Sequence, residues 1–250
     1  MEASVKVPRK LTEAYRISQT VSRKFREGIK EFGLIAEGDA ILVGLSGGKD
    51  SMALLELLGE YRRYGRNAFR LYALHVRMEQ VDYQSDAAYL SAFATACGAE
   101  YVERSVGFAP DRDPKRTPCF LCSWNRRKTL FEVAQELGCN KIALGHHQDD
   151  ILKTALMNLT FNGTFATMPA LLKMRKMPLV IIRPLCKVEE ELLRQWAALK
   201  DYQPLLKHCP YEQASSRTQM DRVVEAMAQL NPEYRYNLWH ALVKDGKLVE

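Results

Sequence analysis

The 250-residue chain contains no run of about 18 or more apolar residues, so no membrane-spanning helix is predicted. Its first ten residues, Met1 to Lys10, are polar and lack the apolar core of a secretory signal, and a cytoplasmic location is expected. Internal repeats and low-complexity linkers are absent. An acidic excess is absent too: 36 Lys and Arg face 30 Asp and Glu, a net charge of +6. What remains is a chain with 47% hydrophobic residues, enough to fill the core of one domain with appendages. The mild basicity points only weakly to nucleic acid, but it is unevenly spread. Lys6, Arg9, Lys10, Arg16, Arg23, Lys24, Arg26 and Lys30 crowd the first thirty residues. Smaller groups occur at Arg112, Lys115 and Arg116, at Arg126, Arg127 and Lys128, and at Lys173, Arg175 and Lys176. Such clusters suit either a phosphate-backbone track or solvated helix faces.

A Walker A loop is also missing, yet another phosphate-binding pattern is present. Ile41 to Gly44 is an apolar strand that runs through Leu45 into Ser46-Gly47-Gly48-Lys49-Asp50-Ser51, and the helical run Met52 to Leu58 follows at once. A strand–turn–helix junction aims unpaired backbone N–H groups and the positive end of a helix dipole at one spot, which suits a phosphate. Gly47 and Gly48 permit close backbone approach, and Lys49 adds a full charge. Asp50 after the lysine, where Walker A has Ser or Thr, excludes that motif. A Gly-Gly pair alone would read as an ordinary turn capping a helix. Six matched positions between a strand and a helix favour phosphate.

Short strands near residues 39–45, 69–77, 100–104, 141–145 and 179–183 alternate with helical patterns near 50–64, 83–97, 123–137 and 148–162. Leu130, Val133, Ala134 and Leu137 mark one face of the third of these helices, with Gly138 as its stop. The alternation predicts an α/β fold: an open five-stranded, mostly parallel sheet covered by helices, with ligand beyond the carboxyl ends of the strands. Further helices are expected at 11–33, 187–200 and 217–230. The expected organisation is a basic helical extension at 1–37, a nucleotide-binding core at 38–186 and a C-terminal helical segment at 187–250.

Cys119-Phe120-Leu121-Cys122 follows a turn-rich loop (Val106 to Pro118) and is expected just ahead of the 123–137 helix. In a cytosolic chain a C-x-x-C pair is metal-binding or redox-active more often than a structural disulfide. Of the other four cysteines, Cys97, Cys139 and Cys186 read as small buried hydrophobes. Cys209 stands apart in the polar segment Lys207 to Glu212. Three thiolates at Cys119, Cys122 and Cys209 suit a [4Fe–4S] cluster with one iron left open. A zinc or other structural site and a metal-free redox pair at Cys119 and Cys122 remain as alternatives.

Gly145-His146-His147-Gln148-Asp149-Asp150 falls at a strand end and opens a helix. Gly145 allows a nucleotide or backbone to come close. Asp149 and Asp150 suit Mg²⁺ shared with phosphates, and equally suit first-turn helix capping.

Taken in order, the 46–51 loop, Cys119 to Cys122 running into Ser123-Trp124-Asn125-Arg126-Arg127, the 145–150 motif and Arg183-Pro184-Leu185 resemble the TtcA family, tRNA 2-thiocytidine synthetases of the PP-loop ATP-pyrophosphatase superfamily. The resemblance spans about residues 20 to 230 and implies the adenine nucleotide alpha hydrolase-like form of the α/β fold. It implies ATP-dependent replacement of the C2 oxygen of a cytidine in the tRNA anticodon loop by sulfur. It also implies ATP at Ser46, Gly47, Gly48, Lys49, Asp50 and Ser51, adenine against backbone around Ala73 to His75, and Gly145 beside the nucleotide. Mg²⁺ at Asp50, Asp149 and Asp150, and a [4Fe–4S] cluster on Cys119, Cys122 and Cys209, complete the implied site. Lys49, Asp50 and the three cysteines are the implied catalytic set. Implied partners are tRNA, a sulfur donor such as a cysteine desulfurase, an electron donor and a second copy of the chain in a homodimer. One departure stands out: family members often carry a second C-x-x-C near the C-terminus, and here Cys209 is followed by Pro210. Alternatives are a PP-loop thiolase making 2-thiouridine and a non-catalytic ATP-binding protein.

Overall fold

A computed structural model describes residues 9–65, 67–83, 87–109, 116–203, 207–211 and 216–250. Lys6, Arg112, Lys115 and Glu212 lie outside the described residues.

The core is laid down by β1 (Ala40–Gly44), whose alternate residues serve two apolar layers. Ile41 and Val43 point to one layer, Ala40 and Leu42 to the other. Parallel neighbours complete the sheet: β2 (Arg70–Met78) and β4 (Glu100–Val106) on one side, β5 (Lys141–Ala143) and β7 (Val180–Ile182) on the other. The five expected strands are all present. The sheet has six rather than five, because β6 (Leu171–Lys173) adds antiparallel to β7 and gives the order β4-β2-β1-β5-β7-β6. Leu171-Leu172-Lys173 has only two apolar residues before the basic stretch that follows, too short a run to stand out in a sequence. The chain end covers this edge, with Lys173 N donating to Glu250 O at 2.8 Å and Glu250 N to Leu171 O at 2.9 Å.

One layer is built from α1 (Arg9–Phe32), α2 (Lys49–Tyr64), α3 (Ala87–Ala96), α5 (Gln148–Asn162), α6 (Glu190–Leu199) and α8 (Tyr234–Lys244). Phe25 of α1, Trp196 of α6 and Leu242 of α8 are buried in the same core as the sheet. The opposite layer rests chiefly on α4 (Pro118–Glu136), which packs Val133 and Ala134 over Leu42, Leu74 and Ile142. This helix starts five residues earlier than expected, so Cys119 and Cys122 lie inside its first two turns rather than ahead of it. Thr117 explains the start: its Oγ1 accepts from Phe120 N at 3.3 Å, and Pro118 at the first position needs no partner. Two short strands, β3 (Asp82–Tyr83) and β8 (Lys207–His208), pair antiparallel and bring the Cys209 segment back to the main sheet's end. The remaining helix, α7 (Ser216–Leu230), packs on α5.

Candidate nucleotide and thiol site

From β1 the chain steps to β2 and then β4 on one side, and crosses to β5 on the other. The reversal between β1 and β5 opens a crevice beyond the strand ends, where α/β sheets bind ligands. A cavity of about 600 Å³ occupies it. Its wall includes Ser46, Gly48, Asp50, Ser51, His75, Gly145, His147 and Asp150. Thus the glycine loop, the end of β2 and the 145–150 motif, far apart in sequence, meet at one place.

The loop is tied by its own hydroxyls. Ser51 Oγ donates to Gly48 O at 2.9 Å, accepts from Ser46 N at 3.1 Å and lies 3.1 Å from Ser46 Oγ. Gly47 takes a positive φ of 79° that favours glycine, and Gly48 caps α2 in extended form. Opposite, a side chain on Gly145 would sit 3.1 Å from the Asp50 carbonyl and from Ser51 N, so the two loops pass backbone against backbone.

Lys49 Nζ lies 3.1 Å from Asp50 and 3.5 Å from Glu190, both on the cavity wall. Burial alone would lower its pKa, but these carboxylates outweigh it and keep the ammonium charged. Burial pushes the Asp50 carboxyl upward, against the pull of Lys49 and His147. Asp50 Oδ1 is buried and, though near Lys49, accepts no aligned hydrogen bond. Asp150 Oδ2 accepts from His147 N at 3.2 Å, capping α5. Asp149 turns away: Oδ2 accepts from Glu190 N at 2.8 Å, Oδ1 pairs with Arg235, and it is not on the cavity wall. Burial would raise its pKa, but Arg235 and the Glu190 amide hold it below the usual carboxylate range.

His75 Nδ1 lies 2.9 Å from Leu45 O, and a carbonyl only accepts, so the proton sits on Nδ1. Burial depresses its pKa and keeps the ring neutral. Leu74 and Val76 flank it on the wall, whereas Ala73 is enclosed in the sheet between Val43 and Tyr101. Arg183 Nε donates to His146 Nδ1 at 3.3 Å, and burial lowers the guanidinium pKa to about 10.

Several wall residues carry no sequence signal of their own. Tyr83 packs edge-on to His75 at 5.7 Å, and its hydroxyl oxygen accepts from Arg126 Nη2 at 3.1 Å and Met78 N at 3.3 Å. Lys153 pairs with Asp221 at 2.7 Å and approaches Glu190 at 3.8 Å. Tyr83 sits in a two-residue strand, and Lys153, Glu190 and Asp221 come from three helices, so only folding reveals them.

The thiols lie beside the same wall. At about 100° per residue, Cys119, Cys122, Arg126, Leu130 and Val133 share one face of α4, and Arg126 and Leu130 line the cavity. Cys119 Sγ donates to Tyr211 O at 3.3 Å, and Cys122 and Cys209 pack against one apolar cluster. Cys97, Cys139 and Cys186 lie elsewhere, with burial pushing their thiols up to about 12, 11 and 12. Among the described residues, no three His, Cys, Asp or Glu side chains are close enough to share one metal ion.

The chain matches the PP-loop domain over residues 17–205. It is 35% identical over 236 residues to a tRNA-cytidine(32) 2-sulfurtransferase of Verminephrobacter eiseniae (strain EF01-2), covering 92% of this chain and 74% of that protein. A protein of the same name from Syntrophotalea carbinolica (strain DSM 2380 / NBRC 103641 / GraBd1) is 35% identical over 231 residues, 91% of this chain and 89% of its own. Among solved structures, the U34-tRNA thiolase NcsA from Methanococcus maripaludis with its [4Fe-4S] cluster superposes with a TM-score of 0.73. It shares 25% identity over 92% of this chain and 79% of that chain.

Proposed function

The chain belongs to the PP-loop family of tRNA-cytidine 2-sulfurtransferases, and on that premise we propose that it thiolates C2 of a cytidine in a tRNA anticodon loop at the expense of ATP. One observation carries the reading beyond family membership. The helix that bears Cys119 and Cys122 also supplies Arg126 and Leu130 to the wall of the cavity floored by the glycine loop. This supports a reading in which nucleotide activation and sulfur delivery share one wall.

In this reading the triphosphate lies over the N-terminus of α2, with Ser46 to Ser51 donating to it and Lys49 balancing its charge. The Lys49–Glu190 and Lys153–Glu190 pairs are long, at 3.5 Å and 3.8 Å, so phosphate oxygens can take the place of Glu190. Mg²⁺ fits Asp50 and Asp150: Asp50 Oδ1 is a buried acceptor without a hydrogen bond, and this ion typically takes one or two carboxylates and shares the rest with phosphates. Asp149 instead fixes α5 to α6 and α8. Adenine lies against Leu74 to Val76, and a neutral His75 presents Nε2 as an acceptor.

The C2 oxygen of cytidine attacks the α-phosphorus, and pyrophosphate departs. Sulfur then bonds to C2 and the original oxygen leaves as part of AMP. The protein's work is to align these centres and stabilise phosphate charge. Cys119, Cys122 and Cys209 would hold a [4Fe–4S] cluster, and three protein ligands would leave it able to deliver sulfur beside the cavity. A sulfur donor such as a cysteine desulfurase, an electron donor and a dimeric state belong to the same proposal. The three-part organisation (1–37, 38–186, 187–250) gives the outer parts to tRNA contact and to Cys209. The likeness to NcsA supports a second reading, 2-thiouridine, at lower identity than the cytidine enzymes.

Pyrophosphate release tests the proposal. With wild-type protein it depends on tRNA. In Lys49→Ala it falls by roughly 100-fold or more, as for loss of a donor aimed at transferring charge, while circular dichroism stays unchanged. Release without tRNA dependence, or an unimpaired Lys49→Ala, contradicts the reading.

A further inference from the structure

We propose that the outward face of α4 is a stacking platform for unpaired RNA nucleotides next to the base that enters the cavity; this rests on the proposed tRNA substrate. Phe120 and Trp124, one helical turn apart, are 45% and 48% exposed. With Ser123, Arg127 and Lys128 they form a solvent-facing stripe, centred roughly 135° around the helix from the face that carries Cys119, Cys122 and Arg126.

An exposed Phe–Trp pair is costly to leave in water and has no packing role on the core side of this helix. Charge settles its occupant. Arg116 lies over the Phe120 ring at 4.8 Å and Lys128 over the Trp124 ring at 5.9 Å, with Lys128 also 3.4 Å from Glu132. Rings set among cations match a single-stranded nucleic acid, whose bases stack on aromatic faces while its phosphates pair with Arg and Lys. Duplex RNA buries its base faces and cannot use such rings. The location fits as well: a loop held on the outer face of α4 has neighbouring nucleotides free to reach round the helix to the wall formed by Arg126 and Tyr83.

The test uses a synthetic RNA hairpin with an unpaired, cytidine-containing loop, and the same strand closed into a continuous duplex. Of the three tryptophans, Trp196 is buried and Trp239 packs in the core, so Trp124 is the exposed reporter. The hairpin should quench tryptophan emission and the duplex should not. Trp124→Phe should abolish the quenching but keep hairpin affinity within about threefold, because a ring remains to stack. Phe120→Ala with Trp124→Ala should weaken hairpin binding by roughly tenfold or more per ring, with ATP affinity and iron content unchanged. Wild-type-like binding by the double variant overturns the platform alone, provided wild-type protein still thiolates tRNA. A monomer–dimer shift in that variant with unchanged RNA binding overturns it in favour of a contact between two copies of the chain. Hairpin binding through the rings without any thiolation keeps the platform and removes the proposed function. Failure of wild-type protein to bind any RNA overturns both.

Discussion

At the scale of single residues, the six cysteines divide by environment. Cys97, Cys139 and Cys186 are pushed well above the ordinary thiol range by burial, while Cys119 is exposed in the first turn of α4. Iodoacetamide on reduced, iron-free protein should therefore label Cys119 first and leave Cys97, Cys139 and Cys186 unlabelled until denaturant is added, as read by peptide mass spectrometry. Cys119→Ser, Cys122→Ser and Cys209→Ser should each abolish thiolation and lower iron content. Alanine at Cys97, Cys139 or Cys186 should keep both, at a stability cost of about 1–2 kcal/mol. Full activity in Cys209→Ser with no iron in the wild type would return the site to a redox pair. The C-x-x-C pair and the 46–51 loop were legible as candidates because each is a short, local pattern. Tyr83, Lys153 and Arg235 were not, since each acquires its partner from an element distant in the chain. Asp149 shows the reverse: its place beside Asp150 suggested metal, and Arg235, 86 residues away, takes the oxygen instead.

At the scale of elements, the five parallel strands and most of the helices followed from apolar runs and periodicity, whereas β6, β3, β8 and α8 did not. The former bury repeated apolar residues; the latter are short or, in Tyr234–Lys244, mix apolar and polar residues without a clean stripe. One polar joint holds elements at the end of the sheet remote from the cavity. Asp39 accepts from Lys141 Nζ at 2.6 Å, Ala36 N at 2.6 Å and Asn140 Nδ2 at 2.8 Å, while Lys141 also donates to Leu34 O at 2.8 Å. The end of α1 is thereby tied to β1 and β5. Burial would raise the Asp39 pKa, but the Ala36, Lys141 and Asn140 bonds outweigh it and hold the group below its ordinary 3.8. A depressed carboxyl contributes stability above the unfolded value, lost as pH falls through the folded one, so the joint weakens below about pH 4. Lys141→Ala should cost about 3 kcal/mol at neutral pH, by leaving a buried carboxylate without its cation, and should flatten the acid side of the stability curve. Urea unfolding at about pH 7 and pH 3 measures both. An equal loss at the two pH values would remove the joint from the account. ATP affinity of the folded variant should not change.

At the scale of the whole molecule, net charge says little and its placement says more. Arg16, Arg23, Arg26 and Lys30 fall within about 80° of one another around α1 and are exposed. Lys24, from the same basic run, is drawn instead to Glu189 at 2.6 Å, and Arg23 is shared with Glu27 at 2.6 Å. A triple change of Arg16, Arg26 and Lys30 to Gln should weaken tRNA binding and reduce the slope of log affinity against log salt by about 2. Lys24→Gln alone should leave the slope unchanged. An unaltered slope in the triple variant would make this face a solvated surface only. These charges, the ring-bearing face of α4 and the cavity are separate tests of RNA engagement, but the reaction itself is the claim on which they depend. Nucleoside mass spectrometry of unmodified tRNA, incubated anaerobically with the iron-loaded protein, ATP, Mg²⁺ and a sulfide source, examines it most directly. The account predicts a cytidine in which sulfur has replaced oxygen at C2, formed only with ATP and lost in Lys49→Ala; sulfur appearing in uridine, or in no nucleoside at all, would contradict it.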